Sequence, residues 1–325
     1  IGEMIHGDYN RITAEGVLHS VTNYALHKAL YSGHNDHNYF EIAHTVKYLQ
    51  NMGNLDLYNF VDNHDVERIY TKLSNKAHFT PVHILLYTLP GIPSIYYGSE
   101  FGIEGRKERS SDDSLRPVLS LDDYETALGD NPCTALVAAL GQIRQHTPAL
   151  SYGSYAELHL TNRQFAFARD LNDVRVVVTV NNDDNAASMD LPSGNATEYI
   201  GALSGQKAAV QDGHINVTVP ANSGEIWVPD GDMPEYKPFK IEISVKEETV
   251  TDEESIPADS EEPSAAAEPV HFDPNKSPED MSVAELHAAI LTKMANNGPV
   301  TDQMQKTVNE NIWHDSLVNW LKSFR

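Results

Sequence analysis

The hydrophobic period of this chain changes once, near residue 151, and that change divides what the chain can fold into. Before it, short apolar runs alternate with helical stretches. Residues 58–62 read as a buried strand ending in polar groups, 77–89 as a helix stopped by Pro90-Gly91, and 92–97 as a second strand ending at Gly98. Residues 134–145 read as a further helix, with Leu136, Val137, Leu140 and Ile143 at helical spacing. Such alternation implies parallel strands joined by crossover helices, an α/β architecture. After residue 151 the period is two. Strand-like runs at 155–160, 164–169, 174–180, 187–191, 198–200, 215–219 and 224–228 are separated by turn signals such as Leu171-Asn172-Asp173 and Gln211-Asp212-Gly213. Runs so spaced imply an antiparallel sandwich or barrel, with its own core and the means to fold alone.

The character changes again at about residue 231. Between 247 and 280, twelve acids face one base, Lys276, and prolines recur. Such a segment buries too little apolar area to offset its ordering cost, and its like charges repel. Residues 233–280 are therefore expected to form a disordered acidic linker. It holds nearly half of the formal net charge of −24, an excess that argues against nucleic acid or an anionic membrane as a partner. Ser282-Val283-Ala284-Glu285 is a capping-box pattern, with Leu286, Ile290 and Met294 following on one face and Asn297-Gly298-Pro299 as the stop. A second apolar set, from Met304 to Leu321, completes a helical hairpin over 281–325. A hairpin of this size is expected to dock on the rest of the protein, or on another copy as a homo-oligomer contact. The expected divisions are thus 1–150, 151–232, 233–280 and 281–325. No apolar run of about 18 residues occurs, so no transmembrane helix is expected, and the single Cys133 supports no disulfide framework. The chain opens mid-pattern at Ile1 with no visible signal peptide; the expectation is a piece of something longer, in the cytoplasm.

The chemistry starts from Phe60-Val61-Asp62-Asn63-His64-Asp65, which ends a parallel strand with carboxylates and an imidazole. In a (β/α)8 barrel, catalytic groups sit at such strand ends. Alone, an Asn-His-Asp triplet reads as loop polarity or a helix cap. It is accompanied by Ile1-Gly2-Glu3-Met4, by Thr22-Asn23-Tyr24-Ala25-Leu26, and by Leu89-Pro90-Gly91-Ile92-Pro93-Ser94-Ile95-Tyr96-Tyr97-Gly98-Ser99-Glu100. Together these motifs resemble the α-amylase family of glycoside hydrolases, in its cyclomaltodextrinase and neopullulanase branch. The resemblance covers residues 1 to about 150, and loosely the β-rich part to about 230.

That resemblance implies the C-terminal half of a TIM barrel, strands five to eight, followed by an all-β sandwich. It implies a retaining α-glycosidase acting on malto-oligosaccharides, cyclodextrins or starch. A transglycosidase or isomerase of the same clan is the rival enzyme, and a non-catalytic binding module the rival from another class. Carried over by position, Glu3 is the general acid/base and Asp65 the acid that favours the oxocarbenium-like state. His64 contacts the same sugar, and Asp113 and Arg116 border it. The nucleophilic aspartate belongs to the family's fourth strand, which precedes the one bearing Glu3, so the resemblance gives this sequence half an active site. No cofactor is implied. Calcium binds many relatives, mainly through ligands upstream of these motifs, so no metal is assigned. His34-Asn35-Asp36-His37 lacks a third ligand at zinc-like spacing and reads as a polar loop. Asn195-Ala196-Thr197 and Asn216-Val217-Thr218 match a glycosylation pattern short enough to recur by chance.

Overall fold

The computed structural model describes residues 1–5, 9, 18–51, 56–230, 276–277, 281–297 and 321. The chain divides into two compact units, Ile1–Ile243 and Ser244–Arg325, taken separately below.

In the first unit, four extended segments lie side by side, all parallel. Gly2 bridges Val21, Thr22 bridges Tyr58, and strand β1 (Tyr58–Phe60) pairs with β2 (Ile92–Ser94), Tyr58 opposite Ile92. Their spatial order follows the chain, as expected when each strand returns through a helical crossover. Helices α1 (Tyr24–Asn35) and α2 (Tyr39–Gln50) separate the second segment from β1. Helix α3 (Phe79–Thr88), entered through a 3-10 turn at Lys76–His78, separates β1 from β2. The anticipated strand over 92–97 is shorter, because the chain leaves β2 after Ser94 and turns at Gly98, whose φ of 87° suits glycine.

Local chemistry explains each helix. Asn23 caps α1 by accepting from the Leu26 N–H at 3.0 Å. Asn131 caps α4 (Pro132–His146) by accepting from Cys133 and Thr134, with Pro132 at the first helical position. Leu89 turns extended before Pro90 and ends α3. Two guanidiniums take the carbonyls freed there: Arg144 donates to Tyr87 O at 2.5 Å and Gly91 O at 2.8 Å, and Arg169 to Thr88 O at 2.6 Å. Gly91 has φ 114°, and a Cβ there would stand 2.7 Å from Leu57 O.

Eight antiparallel strands follow: β3 (Ser154–Leu160), β4 (Gln164–Leu171), β5 (Val174–Asn181), β6 (Ala187–Pro192), β7 (Glu198–Gly201), β8 (Lys207–Gln211), β9 (His214–Val219) and β10 (Ser223–Pro229). Their order is β3-β4-β5-β10-β7-β8-β9-β6. The pattern of seven runs missed β8, whose Lys-Ala-Ala-Val-Gln lacks a strong alternation. The anticipated turn at Asp212-Gly213 is present with both φ positive, the type I′ requirement.

This β-part does not stand on its own core alone. Alternate residues of β4, β5 and β10 serve two cores. Ala166, Val177 and Trp227 join Met189, Leu191, Tyr199, Ile215, Val217 and Val219 inside the sandwich. Phe165, Phe167, Val176, Val178, Val180, Ile226 and Val228 instead pack with α1, α3 and α4 in a core shared with the parallel half. Both faces of these three strands are thus covered, one inside the sandwich and the other by the helices of the parallel half. Within the β-part, the buried carboxylate of Glu225 accepts from the backbone N–H groups of Leu203, Ser204 and Ile226 at 2.8–2.9 Å.

In the second unit, helix α5 (Val283–Asn297) is described. The capping box is formed: Ser282 Oγ accepts from Glu285 N at 3.3 Å, and Glu285 Oε2 accepts from Ser282 N at 2.7 Å. The Lys276 ammonium, 2.9 Å away, and these bonds hold the Glu285 carboxyl down at about 2. Leu286 and Ile290 are buried. The acidic linker, the second half of the hairpin and its docking lie outside the described residues, Leu321 and residues 276–277 apart.

Candidate active site

Because the four segments run parallel, their C-terminal ends face one side. There stand Glu3, Tyr24, the turn Asn63-His64-Asp65, and Tyr96 to Ser99. Glu3 is fixed through its neighbours: Gly2 N donates to Ser20 O, Thr22 N to Gly2 O, and Met4 N to Thr22 Oγ1 at 2.9 Å. Asp65 is fixed by Asn63, whose Oδ1 accepts from the Asp65 and Val66 N–H groups at 2.8 and 3.1 Å. A carboxylate oxygen of Glu3, a ring nitrogen of His64 and a carboxylate oxygen of Asp65 then lie within 4.8 Å of one another.

Tyr24 donates to Glu3 Oε1 at 2.7 Å and accepts from Asn63 Nδ2 at 3.0 Å. Arg116 donates to Asp65 Oδ1 at 2.8 Å and to the His64 carbonyl at 3.0 Å, with Asp112 at 3.5 Å on its far side. His64 Nε2 is 3.5 Å from Asp65 Oδ2, and its ring lies 6.4 Å from that of Tyr96. The acid pair, Arg116 and His64 are all substantially exposed, so the cluster is open to a ligand. A cavity of about 740 Å³ opens beside it, walled by Tyr24, Asp65, Tyr9, Tyr31, Tyr48 and Lys107. A second, of about 550 Å³, lies by Asp56, Gly91, Tyr152 and Arg169 and holds none of these groups.

The structure thus brings together Glu3, His64, Asp65 and Arg116. Asp113 is not part of that contact. It starts a 3-10 turn with its side chain exposed, and of the two neighbouring aspartates it is Asp112 that reaches Arg116, besides Asp65. Sequence reasoning did not single out Tyr24, Asn63 or Arg68. Arg68 is buried and ties three loops together, donating to Tyr97 O at 2.6 Å, Ser99 Oγ at 3.3 Å and Leu115 O at 2.8 Å. Its guanidinium also sits 4.4 Å over the Tyr96 ring. Asp62 is not a site group: it is buried and accepts from Ser99 Oγ at 2.5 Å and Ile69 N at 2.8 Å. Burial pushes its carboxyl up, against those two bonds.

Glu3, His64 and Asp65 are also the one group among the described residues spaced to suit a metal ion. Tyr24 and Arg116 each already bond one of the two carboxylates. His34 and His37 are held structurally, His34 by Leu30 O and Tyr39 Oη, His37 by Asn182 O and Arg163.

Residues 1–153 match the family described as "Alpha amylase, catalytic domain". A cyclomaltodextrin glucanotransferase of Niallia circulans is 27% identical over 180 residues, 53% of this chain and 24% of that enzyme. Neopullulanase 2 of Thermoactinomyces vulgaris is 26% identical over 175 residues, covering 52% and 29%. The crystal structure of an Anoxybacillus α-amylase superposes with a TM-score of 0.61 at 21% identity, over 73% of this chain and 52% of that one. The chain spans about a quarter of the length of the curated relatives it matches. Motifs, strand order and these matches agree: residues 1–153 are similar to the catalytic domain of the α-amylase family.

Proposed function

We propose that Glu3 and Asp65 are the general acid/base and the transition-state stabiliser of a retaining α-glycosidase acting on malto-oligosaccharides, cyclodextrins or starch. The observation that carries this reading is the convergence of Glu3, His64 and Asp65 within 4.8 Å at the ends of parallel strands. Glu3 protonates the glycosidic oxygen as the bond breaks, then takes a proton from the water that attacks the glycosyl intermediate. Asp65, oriented by Arg116, accepts from sugar hydroxyls whose bonds strengthen as positive charge grows on the ring. His64 lies beside the same sugar, and Asp113 offers a further exposed carboxylate on the Arg116 loop.

Of the three acids the family uses, this reading assigns two here and gives the nucleophile to no residue of the chain. The 325-residue polypeptide alone is therefore expected to release no reducing sugar from maltodextrin or cyclodextrin. Release that Glu3→Gln abolishes would show that the nucleophile is present after all. Transfer to another sugar instead of water is the second reading. It is favoured by relatives named cyclomaltodextrin glucanotransferase, and the ratio of longer oligosaccharides to glucose among the products separates the two.

A further inference from the structure

We propose that Tyr24 is the positioning residue of the acid: its hydroxyl holds Glu3 Oε1, leaving Oε2 to carry and deliver the proton. This rests on the assignment of Glu3 as the general acid/base.

Three strand ends supply the arrangement. Glu3 follows the first, Tyr24 the second and Asn63 the third. Tyr24 opens helix α1 directly after its cap, Asn23, so the helix start fixes its backbone. Its ring lies edge-on to Phe60 at 4.9 Å. The hydroxyl donates to Glu3 and accepts from Asn63 Nδ2, while Asn63 Oδ1 accepts from the Asp65 N–H. One unbroken line of hydrogen bonds therefore runs from the acid to the backbone of the stabiliser. Burial, and next the bond to Glu3, push the Tyr24 hydroxyl up to about 12, so it remains a donor wherever Glu3 works.

The balance of the step follows. The proton passes from Glu3 Oε2 to the glycosidic oxygen, which also receives the electron pair of the breaking C1–O bond. The anomeric carbon bonds to a nucleophilic carboxylate. Glu3 is left ionised, and the Tyr24 O–H stabilises that charge through Oε1. A phenol that merely filled space would do none of this.

The test uses the product of the complete reading frame, with maltotriose and 4-nitrophenyl α-maltoside as substrates. Nitrophenolate leaves without protonation, so only maltotriose needs the acid. Tyr24→Phe should lower kcat on maltotriose about 10-fold or more, with KM changed less than about 3-fold and with little loss on the nitrophenyl substrate. The alkaline limb of its pH–kcat profile should move to higher pH, because a donor to the ionised acid has gone. Equal losses on both substrates, or an unmoved limb, overturn the inference. Glu3→Gln separates the two levels. If Glu3→Gln shows the substrate-selective loss and Tyr24→Phe does not, only the role of Tyr24 falls. If Glu3→Gln leaves maltotriose hydrolysis intact, the acid assignment falls and takes the inference with it. Should Tyr24→Phe not fold, ring-labelled tyrosine NMR on the 325-residue chain decides. The Tyr24 titration should move to lower pH in Glu3→Gln, and an unmoved curve overturns the bond.

Discussion

Asp65 is gripped on two sides, by Asn63 on its backbone and Arg116 on its carboxylate, and these grips differ in what they do. The Arg116–Asp65 pair is 46% and 40% exposed, so water screens it and its worth to stability is below about 1 kcal/mol. Its worth to function is orientation. Arg116→Ala should therefore leave the melting temperature within about 2 °C while kcat/KM falls about 10- to 100-fold. A large stability loss with unchanged kcat/KM would reverse that division. Glu3, His64, Asp65 and Arg116 were legible in the sequence because each stands in a short motif with its own spacing. Tyr24 and Asn63 stand in such motifs too, but their part in the site was not legible, because their bond spans 39 residues and exists only once two strand ends are neighbours. Arg68 was hidden for the same reason, its acceptors lying 29 to 47 residues along the chain.

Helix α3 is buried at eight of its ten residues, and its surroundings give two tests. Arg169 joins its C-terminal Thr88 carbonyl to that of Gly153. Arg169→Met keeps the packing but strands both carbonyls, and should cost about 2–4 kcal/mol by urea titration. Burial holds His27 and His83 down at about 4 and His34 at about 3. All three are neutral when folded, whereas the unfolded chain protonates near 6.5. The unfolded state thus binds more protons as the pH falls from about 6.5 to about 4, and stability falls with it, by up to about 1.4 kcal/mol per pH unit for each histidine. Asp62, raised by burial, works in the opposite direction. Urea midpoints should drop between pH 7 and pH 5, and less steeply in His83→Leu. Stability that is flat with pH would mean that these histidines charge within the fold. Helices α3, α4 and α5 were readable, since caps and apolar spacing are local, whereas α1 and α2 were not anticipated. Strand β8 was not readable, because its five residues lack a strong alternation, and the early end of β2 was not, because its partner β1 lies far back along the chain.

At the scale of the molecule, the change of period at residue 151 marks a change of architecture across which one core is shared. Seven apolar side chains of β4, β5 and β10 face the helices of the parallel half. A polypeptide of residues 151–230 would expose them all and should self-associate on size exclusion; a monomer with a cooperative melt would show that the second core suffices. The sequence pattern could not reveal this, because alternation says which residues share a face and not what covers it. The same sharing fixes α3 and, through Arg144 and Gly91, the start of β2, whose far end carries the loop above His64. The central claim is that Glu3 and Asp65 perform the chemistry. It is tested most directly by kcat for maltotriose hydrolysis in the product of the complete reading frame. Glu3→Gln and Asp65→Asn should each lower kcat by about 10³-fold or more with the melting temperature retained. A loss below about 10-fold in either would contradict the assignment.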